Sequence, residues 1–400
     1  MSSRHFTASI SSLLRRAWLD KSVRAAAFTF ALTRILLLVI FILTAYLTLG
    51  QPSFGGAVQE PRISFEKANI PGKLQEIVQS ADANWYKDIA RLGYEPGPFM
   101  TDRQHSWAFF PLFPIILRAA ASLTGEYPLT GVALSNIFFF LGLILLHRTA
   151  REFGYDEADA DRAIFYMAVF PTSYFFSLPL TESLFLCLTV GSFYAAKRDA
   201  WWIAGLLGTL ASATRVNGVL LLPVLALLYW QRYRRAWLNK NLLCLLLIPA
   251  GLLAYMLFLY RLTGNAFAFK DAQVKWDRGS GMFWRPLIDY VKHFREIGIP
   301  WNFKLLNFAS AMLAFGCALV LVKRREWALA LFTLLAVIMP LSSLSLQGLD
   351  RYVLVIFPVF LVLAKWGRQP QLDQTIRALF IALLALMAAL FAARFSLAMV

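Results

Sequence analysis

The chain has 400 residues, 59% of them hydrophobic and 16% charged, with a formal net charge of +16 and a mean hydropathy of +0.58. Soluble domains carry about 25% charged residues, so this composition excludes an ordinary soluble enzyme and predicts an all-α polytopic membrane protein. The surplus of Lys and Arg would suit nucleic acid in a soluble chain. Here it lies in short loops between apolar runs, where basic residues mark the cytoplasmic side, and no nucleic-acid partner is expected.

Arg4, Arg15, Arg16, Lys21 and Arg24, against the single acid Asp20, precede an apolar run over 25–49. That run is too long for a signal-peptide core. It reads as an uncleaved first membrane helix, with 1–24 cytoplasmic and 25–400 a single membrane domain. Arg34 lies inside this span, and an ionisable residue at that depth is a site candidate. Residues 50–129 then form an outer loop. Within it "SADANWYKDIARLGY" (80–94) predicts an amphipathic helix over 83–93, with Trp85, Tyr86, Ile89 and Leu92 on the apolar face and Asp88 near Arg91 on the polar one. Asp82 points with the apolar stripe. It is either an N-cap or a carboxylate over a cavity, available as a base. "HSWAFFPLFP" (105–114) brings His105, bending prolines and interfacial aromatics. Residues 108–125 resemble a span, but two prolines and Arg118 interrupt them. A crossing there would put later helices out of phase with the basic loops, so an interfacial or re-entrant helix is expected.

The second span is expected at 130–147. "FFSLPLTESLF" (175–185) places Glu182 at a tight outer turn, as a helix-start acid beside Thr181 or as a site residue. Residues 200–230 hold Arg215, Asn217 and Gly218 at their centre. One helix would bury Arg215 near mid-membrane; two short helices joined at "TRVNG" bring it to an outer pocket instead. Further spans are expected at 242–261, 304–322, 327–346, 351–366 and 376–397, alternating with the basic loops 231–241, 323–326 and 365–377 and an outer loop over 262–303. Trp276, Trp284 and Trp301 in that loop are acceptor contacts or interface anchors. "QGLDRYVLVIFP" (347–358) puts Asp350 and Arg351 at another outer turn, where an arginine is a snorkelling anchor or an anion ligand. The total is about eleven spans of the length a bilayer requires. Cys187, Cys244 and Cys317 sit in apolar runs and the four histidines are scattered. Neither a disulfide framework nor a zinc site fits, and no cofactor or divalent metal is expected.

Acids and arginines from separate turns thus converge on one outer surface. Arginine grips phosphate bidentately and a carboxylate accepts a proton. Together they point to a membrane enzyme, or a transporter, for an anionic lipid-linked substrate.

The ordered set "DANWYKDIARLGY", "AFFPLFPIILR", "SLPLTESLF", "TRVNGVLLLP" and "DRYVLVIFP" resembles the PIG-V-like (GPI mannosyltransferase II-like) mannosyltransferases of the GT-C superfamily. The resemblance implies a GT-C-type bundle whose first outer loop carries interfacial helices and the catalytic acid. It implies inverting transfer of a sugar, most often mannose, from a polyprenyl-phosphate donor to a hydroxyl of an acceptor glycan or lipid. Asp82 would be the base, with Asp88 as a rival or second acid and Glu182 in support. Arg215 and Arg351 would bind the donor phosphate, and His105, Trp85, Tyr86 and Tyr352 the substrates. A prokaryotic plasma membrane is implied, with the N-terminus cytoplasmic and the site on the outer face; the eukaryotic relative also needs a partner subunit. Members usually have an aromatic before the aspartate and often a glycine after it, where this chain has Ala81 and Ala83. The runner-up is a transporter or flippase of a lipid-linked sugar. It predicts polar residues throughout the spans, whereas Arg34 and Arg215 are nearly the only deep charges.

Overall fold

The computed structural model describes residues 20–48, 69–234, 240–293 and 304–394. Arg4, Arg15, Arg16 and Trp301, and parts of the expected outer loops, lie outside them. The regular structure of the described residues is helical, without strands. In chain order the helices are α1 (Lys21–Leu47), α2 (Ile70–Val78), α3 (Ala83–Leu92), α4 (Leu112–Thr124), α5 (Tyr127–Glu152), α6 (Glu157–Ala168), α7 (Glu182–Lys197), α8 (Trp201–Thr214) and α9 (Leu221–Tyr233). They continue as α10 (Lys240–Leu245), α11 (Ala250–Thr263), α12 (Ala268–Asp271), α13 (Arg285–Lys292), α14 (Lys304–Lys323), α15 (Trp327–Leu341), α16 (Leu349–Leu354), α17 (Phe357–Trp366) and α18 (Pro370–Ala392).

α1 shows why the protein needs a membrane. Asp20 caps it, accepting from the Ser22 amide at 2.8 Å. Its buried residues, Ser22, Ala26, Thr29, Thr33, Leu37, Phe41 and Ala45, form one narrow stripe. Phe28, Ile35 and Leu47 on its other sides are 70%, 62% and 74% exposed. A bare apolar face of that length is stable only against lipid. Arg34 does not reach a site. Its guanidinium donates to the Ala168 carbonyl (2.9 Å), the Ser173 carbonyl (3.0 Å) and hydroxyl (2.7 Å), and the Ser177 hydroxyl (3.1 Å). Here the deep arginine ties α1 to the end of α6 and the turn after it, because the Ala168 carbonyl is the last of that helix and the Ser173 carbonyl lies beyond it, where carbonyls need donors.

α1, α5, α14 and α18 are long and apolar enough to cross a membrane, and α11 with the segment 268–276 makes a fifth if a pair bent by 82° counts as one span. Elsewhere, where further spans are expected, the described helices are shorter than a crossing requires. The segment expected as 242–261 breaks at Pro249 and that expected as 351–366 breaks before Pro358, since proline lacks the amide a continuing helix requires. α4 has 13 residues; at about 1.5 Å per residue it is too short to span, as its prolines predict.

Charged helix ends gather at one end of the bundle, where ion pairs tie them together: Asp20–Arg148 (2.6 Å), Lys21–Glu157 (2.8 Å), Arg198–Glu152 (3.3 Å) and Arg368–Asp159 (2.6 Å). α7 begins at Glu182 and returns to this end at Lys197; α8 leaves it and stops at Arg215. The opposite end is therefore built from turns between short helices. The junction of α8 and α9 is tight. A Cβ on Gly218 would fall 2.3 Å from both the Ala211 carbonyl carbon and the Ser212 amide nitrogen. Gly218→Ala is expected to cost about 1–3 kcal/mol, read as a lower melting temperature in detergent; an unchanged melt would show that the junction has slack.

Candidate active site

α3 enters the site from a strained turn. Ala81 has φ +52°, a conformation costly for a residue with a Cβ and often met at functional sites. Asp82 follows at the N-cap position but makes no capping hydrogen bond. Its Oδ2 instead accepts from Arg351 Nη1 at 2.6 Å. The buried face of α3 is Ala83, Tyr86, Ile89 and Ala90. Leu92, expected in the apolar stripe, is 76% exposed and ends the helix before Gly93, whose φ is +86°.

Behind Asp82 lies a chain of buried charges. Glu182, the first residue of α7, is 0% exposed. Its Oε1 accepts from Arg215 Nη2 at 2.5 Å and from Arg351 Nε. Arg215 Nε donates to the Thr181 hydroxyl at 3.0 Å, and Arg351 lies over the Phe175 ring, 4.9 Å from its centroid. Removing charges from water is expensive unless they are paired and hydrogen-bonded; a carboxylate between two guanidiniums meets that demand. Glu182 Oε2 and Arg215 Nη1 remain buried without a partner among the described residues.

These groups border a cavity of about 340 Å³. Asp82, Trp85, Tyr86, Arg215, Arg351 and Tyr352 line it, so six of the expected site residues meet. Glu182 supports from behind, through the two arginines. Two expected residues are elsewhere. Asp88 is on the exposed side of α3, 3.7 Å from Lys87; it faces away because a helix carries it around from Asp82. His105 is buried under the loop, its Nδ1 2.9 Å from Glu95 and its Nε2 2.9 Å from Asp102, stacked on Trp107. That bond holds the Asp102 carboxyl below its ordinary range. Both ring nitrogens are committed, so His105 braces the loop instead of meeting a substrate. Among the described residues, no three His, Cys, Asp or Glu side chains are grouped to hold a metal ion.

The cavity also contains residues that sequence reasoning did not single out as ligands: Gln104, Gln273, Gln347 and Arg278. Arg278 donates to the Tyr352 hydroxyl at 2.9 Å. The Tyr352 ring contacts both Arg278 and Arg215, with centroid distances of 5.7 and 5.5 Å. Trp85 stacks on Phe109 and meets Trp276 edge-on. Of the three loop tryptophans, Trp276 reaches the cavity and Trp284 is 44% exposed. Nothing local in "KWDRGSG" distinguishes Arg278 from neighbouring loop cations; its role is set by contacts with α16.

The chain is similar over 151 residues to the GPI alpha-1,6-mannosyltransferase 2 of Cricetulus griseus, with 31% identity, covering 34% of this chain and 28% of that protein. With the Homo sapiens protein of that name it shares 28% identity over 152 residues, 34% of this chain and 29% of the relative. The matched stretch is thus under a third of the relatives' length. Among solved structures, ArnT from Cupriavidus metallidurans bound to undecaprenyl phosphate aligns with TM-score 0.49 and 13% identity, covering 91% of this chain and 74% of that one. The archaeal oligosaccharyltransferase AglB from Archaeoglobus fulgidus aligns with TM-score 0.46 and 12% identity, covering 91% and 56%. The family model described as Mannosyltransferase (PIG-V) matches residues 26–284. Asp82, Glu182, Arg215 and Arg278 fall inside that match, while Arg351 and Tyr352 lie beyond it. With well over half of its length matched, the chain belongs to the mannosyltransferase (PIG-V) family.

Proposed function

We propose that the protein is an inverting glycosyltransferase of GT-C type that moves a sugar, mannose by its family, from a polyprenyl-phosphate donor to an acceptor hydroxyl on a glycan or lipid. One observation carries this reading: a carboxylate, Asp82, stands on the wall of a cavity whose other charged groups are arginines. Counting Glu182 behind them, three guanidiniums face two carboxylates. The single positive charge left over matches one phosphodiester. Arg148, Arg198 and Arg368 tie helix ends at the far end of the bundle, which supports, by the positive-inside rule, a cavity that opens on the outer face.

Asp82 takes the proton of the acceptor hydroxyl. The acceptor oxygen bonds to the anomeric carbon as the bond from that carbon to the phosphate oxygen breaks on the opposite face, so the centre inverts. The departing lipid phosphate gains negative charge, which a preorganised cation stabilises. Arg215, with Nη1 unspent, fits that task. Arg351 has Nε and Nη1 committed to Glu182 and Asp82, so its task becomes holding the base rather than gripping phosphate. No step calls for a metal.

The test is to supply radiolabelled polyprenyl-phosphate mannose to membranes containing the protein, with and without EDTA. Transfer of label to an acceptor fraction, unchanged by EDTA, is expected. Label that crosses the membrane still attached to its lipid would instead make the protein a transporter, and transfer that stops in EDTA would bring a metal into the reaction.

A further inference from the structure

The three guanidiniums around the cavity are not equivalent. Arg351 is held by Asp82 and Glu182. Arg215 has spent Nε and Nη2 on Thr181 and Glu182. Arg278 is bonded to a phenol, the Tyr352 hydroxyl, at 2.9 Å. A neutral acceptor leaves its charge available, and a single N–H spent there leaves the rest of the fork open for a planar, bidentate grip.

The backbone places this side chain firmly. Asp277 turns the chain with φ +54°, and the Arg278 amide donates back to the Gln273 carbonyl at 3.3 Å. The Gly279 amide then donates to the Ser343 carbonyl at 2.8 Å and the Gly281 amide to the Ser342 carbonyl at 2.9 Å. These two bonds clip the loop to the turn that leads from α15 to Arg351. A residue from a long loop is thereby fixed relative to the group that holds the base, as preorganised charge stabilisation requires.

From this geometry we propose that Arg278 recognises the phosphate of the lipid-linked donor, with Tyr352 as its positioning residue. The proposal rests on the glycosyltransferase reading above. Arg278 closes on a phosphate oxygen while Tyr352 keeps its guanidinium beside that of Arg215, so two cations from different elements share one phosphodiester.

The probe is farnesyl phosphate, titrated against the full chain in nanodiscs, with farnesol and inorganic phosphate as controls. Wild type is expected to prefer farnesyl phosphate to both. Arg278→Gln should weaken it about 10- to 100-fold, the worth of a charge-assisted hydrogen bond, with an unchanged melting temperature. Arg278→Lys should recover part of the affinity, having the charge without the fork. Tyr352→Phe should weaken binding less than Arg278→Gln, since the ring stays and only the hydroxyl is lost. In transfer assays Arg278→Gln should raise KM for the donor more than it lowers kcat. Equal farnesyl phosphate affinity in wild type and Arg278→Gln overturns the proposal. If wild type binds farnesyl phosphate no better than farnesol or inorganic phosphate, the lipid-phosphate cavity itself is wrong, and the proposal falls with it.

Discussion

Asp82→Asn is expected to reduce mannosyl transfer by about 10²- to 10⁴-fold, the range a positioned general base supplies, while the protein accumulates normally. The substitution is nearly isosteric and keeps an oxygen for Arg351, 2.6 Å away in the wild type. Asp82 makes no capping bond to α3, so no helix-stabilising interaction is lost. What disappears is the carboxylate at the cavity wall, the proposed proton acceptor. Asp88→Asn supplies the internal control: that residue is on the exposed side, paired with Lys87, and its loss should leave transfer within about twofold, as surface ion pairs contribute little. The comparison is made with radiolabelled donor on membranes matched for protein level. Normal transfer by Asp82→Asn would remove it as the base; loss in Asp88→Asn alone would move the chemistry to the other side of α3.

Glu182→Gln carries the second large effect, on stability as well as activity. Glu182 is 0% exposed and bonded to both Arg215 and Arg351. Breaking a buried ion pair from one side leaves an uncompensated charge, at a cost of about 3–5 kcal/mol. Glutamine preserves volume and one acceptor oxygen, so the loss reports charge more than packing. The variant should melt well below wild type and lose transfer, because Arg351 no longer has a fixed partner from which to hold Asp82. A Glu182→Gln/Arg215→Gln double variant removes one surplus cation and should regain part of the stability without regaining transfer. A non-additive recovery of that kind identifies coupled groups. A Glu182→Gln variant that melts like wild type would show that the buried carboxylate does not hold these turns together.

Much of this protein was legible in its residues. Apolar runs identify the long helices α1, α5, α14 and α18 because only an extended oily segment is stable across a bilayer. The break around Arg215 follows from the cost of a charge at mid-membrane, and the structure places that arginine between two short helices. The ordered acidic and arginine-bearing turns carried the family resemblance that the family match bears out. Other features could not be read there. Periodicity states which residues share a side of a helix, not which neighbour packs against it: Tyr86 and Ile89 are buried against the protein, whereas Leu92 of the same stripe is 76% exposed. His105 is claimed by two nearby carboxylates, which a motif does not reveal. The bond between Asp82 and Arg351 joins residues 269 positions apart, and Arg278 meets Tyr352 across 74. Sequence determined the membrane class, the helix breaks and most of the charged residues that line the cavity. Tertiary structure alone decided which carboxylate faces the cavity and which arginine is bonded to a phenol rather than a carboxylate, because contacts between distant turns are set by packing rather than by local propensity.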